Sequence, residues 1–442
     1  MNSFQEKLSS AILARIRKRR PLPGASDNPQ ARGAAKVPPA KLREATFSDF
    51  EGVARLKERC GIVCDSPENW NRLWRDNPAL AKEASRPIGW VLDAEGEIVG
   101  YLGNISLLCR YGKRTLTAVA THGFSVDPPY RAVAFSLASA FYRQKNVDLY
   151  ISSSAIEATG KMGLALKAQA LPQPDYDTVF FWVVRSYSFG RILMKKLDVK
   201  PLLAPLASVF VAFGVASDKI LRRRRPRISS TRLTVNEDGI GALGSEVEAL
   251  WTDRLDEGTR LFADRRAAVL CWHFKIPGDR GSVRVLRCYD NGKLNGYAVV
   301  RTDKDPQDGI RRSIIADLIA RRDDPTVIQA LCVAAYEHAK AEGSDILEVQ
   351  GFPSNIREVL SAWRPYHRKY PACPYYYKAS DPEFHKTLSD PSAWYACPFD
   401  GDATLIRPSY PGSTVSLAKE TVRSPLNDGA VELAKAQRTE AF

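Results

Sequence analysis

Apolar positions along the chain recur with two periods, and each period marks a kind of element. Val147, Leu149 and Ile151 alternate with Asp148, Tyr150 and Ser152, the period of a half-buried strand. Ile88 to Ile105 reads as two such runs around Glu95-Gly96, which predicts a hairpin, and Thr115 to Val126 adds a long strand. Leu42 to Thr46 is a short strand, and the continuous run Val179 to Val184 closes the set. Between them the spacing turns helical. Ser48 is placed to cap a helix carrying Phe50, Val53 and Leu56 on one face, and a second helix runs through Trp70 and Trp74 to Asn77-Pro78. A helix follows Arg131, and another is expected over 160–170. The resulting order, β-α-α-β-β-β-α-β-α-β, predicts an α/β (α+β) domain with one mixed sheet between helices.

The pattern then returns. Gly96-Glu97-Ile98-Val99-Gly100-Tyr101 is echoed by Gly292-Lys293-Leu294-Asn295-Gly296-Tyr297, and Asp148-Leu149-Tyr150-Ile151 by Asp345-Ile346-Leu347-Glu348. Trp74 with Pro78 is echoed by Trp272 with Pro277. Landmarks that keep register over half a domain argue for an internal duplication. The second copy is expected as helix 240–254, hairpin 282–303, strand 312–320, helix 325–341, strand 345–350, helix 354–363 and the aromatic Tyr375-Tyr376-Tyr377. The organisation read from sequence is a basic segment and linker at 1–40, domains at 41–185 and 236–380, a linker at 186–235 and a tail at 381–442.

Charge modifies this picture in two places. The 442 residues carry a formal net charge of +14. Much of that excess is concentrated in Arg15 to Arg20 and in Arg222 to Arg225, so it says less about the folded domains than the total suggests. Near the start, Phe4, Leu8, Ile12 and Ile16 recur among lysines and arginines, the pattern of a basic amphipathic helix or of a solvated tail; it lacks the apolar core of a secretory signal. In the linker, Pro201 to Ser217 has no charged residue but is flanked by cations. It reads as a helix buried between domains or as a membrane-surface segment, with 195–225 the candidate for peripheral contact. The scattered cysteines and histidines show no metal-ligand spacing, so no metal is expected. A reducing, cytoplasmic location, peripheral to an inner membrane if the linker binds one, follows.

Candidate chemistry concentrates in Ala118 to Arg143, AVATHGFSVDPPYRAVAFSLASAFYR. A strand, a sharp turn at Asp127-Pro128-Pro129 and a helix opening with small residues present free backbone N–H groups to an anion. The hairpin G-x-I-V-G-Y, the strand ending V-D-P and Tyr130-Arg131 before a small-residue turn resemble the GCN5-related N-acetyltransferase fold. That family shows [Q/R]-x-x-G-x-[G/A] at its pyrophosphate loop; here Ala134 and Ser136 stand at the two glycine positions. The resemblance implies acetyl-CoA or another acyl-CoA as donor, held by Val126, Arg131, Ala132, Val133, Ala134 and Ser136. Trp74 to Pro78 and the tandem layout are similar to acyltransferases of bacterial polysaccharide and cell-envelope pathways. The second copy has Asp323 and Asp324 at the loop, which would repel a pyrophosphate. One active site per chain is therefore expected, in the first domain.

Acyl transfer to an amine needs orientation, a base and an oxyanion donor. His122, just ahead of the loop, is a candidate general base or a hydrogen-bonded structural histidine. Tyr150 and Glu157 are further candidate catalytic groups, and Ser153, Ser154, Asp400 and Asp402 candidate acceptor-binding groups. The reading these support is an acyl-CoA-dependent N-acyltransferase acting on a small amine acceptor such as an amino sugar or envelope precursor. Two alternatives stay open. One is a transferase of the Fem type, which draws on charged tRNA and is the only reading with a nucleic-acid partner. The other is a non-catalytic duplicated module at a membrane face.

Overall fold

The computed structural model describes residues 37–405 except 63, 81–85, 197–201, 223, 228–231, 278–280, 306–308, 370–374 and 403. The basic N-terminal segment and most of the tail expected from sequence lie outside the described residues.

In the first half, β1 (Lys41–Glu44) precedes α1 (Phe50–Arg59) and α2 (Pro67–Trp74). The start of α1 is organised by Thr46 and Asp49 and not by Ser48: the Asp49 carboxylate accepts the Thr46 N–H at 2.7 Å, and one 3-10 turn separates the two. Ser66 caps α2 by accepting the Asn69 N–H. Strands β2 (Gly89–Ala94), β3 (Glu97–Tyr111) and β4 (Arg114–Val126) form an antiparallel meander. α3 (Ala134–Tyr142) then crosses to β5 (Leu149–Ser152), which pairs parallel with β4. The helix expected over 160–170 is α4 (Glu157–Ala165); it ends early, Lys167 takes φ +68°, and Gln169–Ala170 form β6. β7 (Thr178–Val183), α5 (Ser186–Lys196) and α6 (Ala204–Leu221) lead into the second half.

There β8 (Thr234–Gly239), α7 (Ser245–Asp256), β9 (Leu261–Ala263), α8 (Ala267–Phe274), β10 (Ser282–Asp290), β11 (Lys293–Lys304), β12 (Arg311–Ala320), α9 (Pro325–Ala341), β13 (Ile346–Val349), α10 (Ser354–Ser361), β14 (Tyr366–Lys369), β15 (Tyr376–Ala379) and α11 (Pro382–Thr387) follow. The first sheet runs β1-β2-β3-β4-β5-β15-β6, with β9 added on β3, and the second runs β14-β7-β13-β12-β11-β10-β8. Helices flank both sheets, and the pairing sense matches strand for strand, including one parallel pair in each, β4 with β5 and β12 with β13.

The two sheets exchange a strand. Val179 to Val184 was expected to close the first sheet, yet β7 lies between β13 and β14 of the second. The tyrosine run was expected to end the second copy, yet β15 lies between β5 and β6 of the first. Trp182 of β7 is accordingly buried with Leu347 and Trp363 in the second core, and Tyr377 of β15 with Leu149 and Trp394 in the first. A domain boundary near 186 or 236 therefore cuts through both sheets.

The apolar linker is not a helix buried between domains. α6 packs one face on α5, with Ser208 buried against Gly190, and its opposite face is not covered by any of the described residues.

Neither half holds a complete sheet, so fragments 1–230 and 231–442 expressed separately should aggregate, whereas co-expressed they should assemble. Co-purification through a tag on one fragment measures this; two soluble, independent fragments would contradict the strand exchange.

Candidate functional site

β4 and β5 pair only through Ala118↔Leu149, Val119↔Tyr150 and Ala120↔Ile151. Thr121 Oγ1 still reaches Ser152 Oγ at 3.0 Å, and beyond that the strands part. β4 continues to Val126 with β3 as its remaining partner. Asp127 N–H donates to Val99 O, so the two-residue alternation of the ladder turns the Val126 backbone away from β3. Those groups need a partner from outside the sheet. At the far end of β4 the chain makes a 3-10 turn, Pro128–Val133, and enters α3. Val133 at the N-cap supplies no side-chain hydrogen bond; the Ala134 N–H donates to Arg131 O across the preceding 3-10 turn, and no side chain among the described residues caps the start of α3. Arg59 holds Asp127 at 2.6 Å, which offsets the negative charge nearest the turn.

Beneath this turn lies a buried polar cluster built from three elements. Lys57 is on α1, in helical register with Val53 on the buried face; Asp65 is in the loop before α2; His122 is on β4. Lys57 Nζ and His122 Nε2 both reach Asp65 Oδ2, at 2.7 and 3.0 Å. Gly123 makes the approach possible. It has φ +59°, and a Cβ there would lie 2.8 Å from Lys57 Cε. Burial opposes charge on Asp65 and His122. Against it, the His122 ring and the Lys57 ammonium hold Asp65 well below the usual carboxylate range, while burial and the Lys57 ammonium lower His122 from its ordinary value. The arrangement that satisfies these demands is a Lys57–Asp65 ion pair beside a neutral His122. Nε2–H then donates to the carboxylate, an assignment made from the hydrogen-bond partners, and leaves a lone pair on Nδ1. Among the described residues Nδ1 has no partner, nor do the neighbouring Tyr101 hydroxyl and Trp70 Nε1, all three buried. Unpaired buried polar atoms gathered around an ion pair are unusual in a core that only packs.

The tail adds a carboxylate. Asp402 is buried where β4 and β5 part, accepting hydrogen bonds from Ser153 Oγ at 2.6 Å and Ser154 Oγ at 2.8 Å. Gly401, at φ +113°, lets the chain pass: a Cβ would sit 2.3 Å from Ser153 Oγ. Burial raises the Asp402 carboxyl, the serine hydroxyls oppose it, and its field is felt at His122.

The second sheet resolves the same divergence internally. β12 and β13 pair as far as Ile315↔Val349, and the tail then enters the gap. Phe399 N–H donates to Ala316 O at 3.0 Å on one side, and Phe352 N–H to Ala396 O at 2.8 Å on the other. Arg265 clamps this plug from within, reaching Asp317 and Asp400 at 3.0 Å each, with Tyr297 Oη donating to Asp317. Against the cost of burial, the two carboxylates hold the Arg265 charge in place. The start of α9 is also taken, because Asp324 accepts the Thr326 and Val327 N–H groups. Asp323, expected to repel a pyrophosphate, is instead paired with Arg254 and Arg260. What blocks an anion here is self-capping and a filled gap.

Of the residues singled out from sequence, the structure brings together His122, Ser153, Ser154 and Asp402. Ala132, Val133 and Arg131 are exposed at the turn and Ala134 is buried beneath it; Ser136 spends its hydroxyl on Val133 O at 2.7 Å. Three expectations are corrected. Tyr150 lies on the other face of the sheet, packed on Phe141 and Tyr142, with its hydroxyl donated to Gln144 O. Alternation along β5 turns it from His122. Glu157 is 84% exposed and pairs with Lys161 one turn on. Asp400 does not join Asp402; the chain turns at Gly401, φ +113°, between them, and Asp400 pairs with Arg265. Trp74 to Pro78 is a packing element: Trp74 Nε1 donates to Asn104 O and the Asn77 amide to Ser106 O, fixing α2 on β3. Lys57 and Asp65 were missed. The available signal was a lysine four residues after Val53 on the apolar stripe of α1.

No family model and no curated protein matches the sequence. Among solved structures, the chain is similar to a GCN5-related N-acetyltransferase from Anabaena variabilis, with TM-score 0.49, 11% identity, and coverage of 77% of this chain and 73% of that one. A GCN5-related N-acetyltransferase from Kribbella flavida gives 0.48, 10%, 78% and 71%. Eis1 from Mycobacterium abscessus gives 0.45, 12%, 79% and 75%.

Replacing Arg265 by Met strands two buried carboxylates and should cost about 3–5 kcal/mol, read as a lowered denaturant midpoint. The same variant should expose residues 394–402 to protease before the rest of the chain unfolds. Wild-type stability and protection would show that the clamp does not hold the plug.

Proposed function

We propose that the protein is an acyl-CoA-dependent N-acyltransferase with a single active site, where β4 and β5 part. The observation that carries this reading is the contrast between the two sheets. Both strand pairs diverge, but the second gap and the second helix start are satisfied by the chain itself, while among the described residues the first gap keeps free backbone groups, a helix start with no side-chain cap and an unpartnered histidine nitrogen. An extended thioester donor matches this frame. Its pantetheine amides would pair with the turned-out backbone of β4, and its pyrophosphate would meet the start of α3.

The chemistry asked of the protein is modest. The acceptor amine attacks the thioester carbonyl carbon, the nitrogen proton passes to Nδ1 of His122 directly or through one water, the C–S bond breaks, and the thiolate departs. Asp65 fixes the tautomer and stabilises the imidazolium formed, and Lys57 keeps Asp65 ionised. Asp402, set by Ser153 and Ser154, lies where it favours a cation and so draws the amine toward the histidine. A primary amine is the acceptor class we assign. The amino sugar implied by resemblance draws no support from Trp74 to Pro78, whose role is packing.

Acetyl-CoA should raise the melting temperature of the full chain by ligand linkage, and Ala132→Asp with Val133→Asp, both at exposed positions, should abolish the shift. No shift with any of several acyl-CoA thioesters would end this reading. His122→Gln should lower kcat by roughly 10²-fold or more with little change in KM for the donor. Because neutral His122 is the competent form and its pKa is lowered, wild-type activity should fall on the acid side with a midpoint below the ordinary ~6.5. The variant should lack that limb in a pH–rate profile.

A further inference from the structure

The hairpin of α5 and α6 carries an apolar face that nothing among the described residues covers. α6 is long and apolar enough to cross a membrane, with mean hydropathy 1.5 over 18 residues, yet only 6% of that window is buried. Leu202 is 91% exposed, Phe213 74% and Phe210 69%, with Leu206 and Val209 beside them. Leu206, Phe210, Phe213 and Ser217 follow the helical repeat, so the large side chains form one stripe opposite Ser208, which faces α5. A monomeric soluble protein seldom leaves a contiguous surface of this kind open.

The other end of α6 is fixed. Asp218 accepts the Tyr366 hydroxyl at 2.6 Å and pairs with Arg224 at 2.7 Å, and Lys219 Nζ donates to Val184 O. With one face on α5 and its C-terminal end tied to the second sheet, α6 is not free to span a bilayer. It is positioned to lie on one.

Charge selects the occupant. Residues 186–227 hold ten Lys or Arg against two Asp, more than half of the chain's net +14. Arg222 and Arg225 are engaged by Asp218 and Glu337, but Arg191 and Lys195 on α5 are exposed and make no ion pair among the described residues. An apolar stripe beside free cations matches the boundary between anionic headgroups and acyl chains. The chain's own N-terminal segment, with Arg15 to Arg20, is cationic and does not complement it. Two copies meeting face to face would oppose like charges. We propose that the α5–α6 hairpin docks the protein on an anionic lipid surface, with Leu202, Leu206, Phe210 and Phe213 entering the acyl boundary and Arg191 and Lys195 meeting headgroup phosphates. This inference does not depend on the acyl-transfer reading.

The test is sedimentation of the full chain with vesicles of phosphatidylcholine alone or with about a third phosphatidylglycerol. Binding should require the anionic lipid and weaken with salt. Phe210→Ser with Phe213→Ser should reduce the bound fraction tenfold or more at unchanged melting temperature, since both side chains are solvated in the free protein. Arg191→Glu with Lys195→Glu should weaken binding to the anionic vesicles while leaving the weak phosphatidylcholine background alone. Unchanged binding by the serine variant would overturn the proposal. So would a wild-type dimer in solution that the serine substitutions convert to monomer, because the face would then belong to a second copy.

Discussion

Two parallel strands that separate after a few residues leave main-chain N–H and C=O groups with no neighbour, and a folded protein has to find partners for them. Much of this molecule can be read as two answers to that demand. In the second sheet residues 396–399 enter the gap and hydrogen-bond to both sides, and a fully buried arginine between Asp317 and Asp400 holds them there. In the first sheet the same tail lines the base of the gap, with Asp402 on Ser153 and Ser154, and among the described residues the outer part of β4 pairs only with β3. A single segment thus fills one gap and lines the base of the other.

The buried cluster next to the open gap obeys the same economy. Lys57 and Asp65 would be costly to bury singly, and together they are tolerable only because geometry is good: 2.7 Å between them, with His122 completing the carboxylate's contacts. The protein that accepts this arrangement gains a histidine whose tautomer is set from one side, leaving its other nitrogen uncommitted. A well-packed apolar substitute would stabilise the fold as well or better, so the cluster is hard to explain as a stability device.

What the sequence disclosed was local. Period-two alternation located β5, the Glu95-Gly96 turn located the first hairpin, and the echo of Gly96 to Tyr101 in Gly292 to Tyr297 located the second. Helix 325–341 was read to the residue because Pro325 and the long 3.6-residue repeat mark it strongly. The partner of a strand is not written in its own residues. VFFWVV is equally suited to either core, so the exchange of β7 and β15 was invisible, and with it the true domain boundary. The site was half legible for a similar reason. His122 stood out because histidine on a strand beside a loop invites chemistry, but Lys57 looked like any helix lysine, and Asp65 lies in a loop whose burial depends on α1, α2 and β4 meeting. Asp400 and Asp402, alike in sequence, diverged in role because the chain turns between them at Gly401, φ +113°, which an i, i+2 spacing read from sequence does not show.

The exchanged strand also imposes an order in time. β5 is made long before β15, which lies about 220 residues further on, and at roughly 5–20 residues per second the interval is on the order of ten to forty seconds. During it the Leu149–Ser152 edge has no partner on that side, and the second gap has no plug. Asp402 arrives later still. A nascent chain can therefore form its meanders and its histidine cluster early, yet the base of the first gap is not closed until just over four hundred residues have emerged. A chain released early carries the His122–Asp65 pair but lacks Asp402.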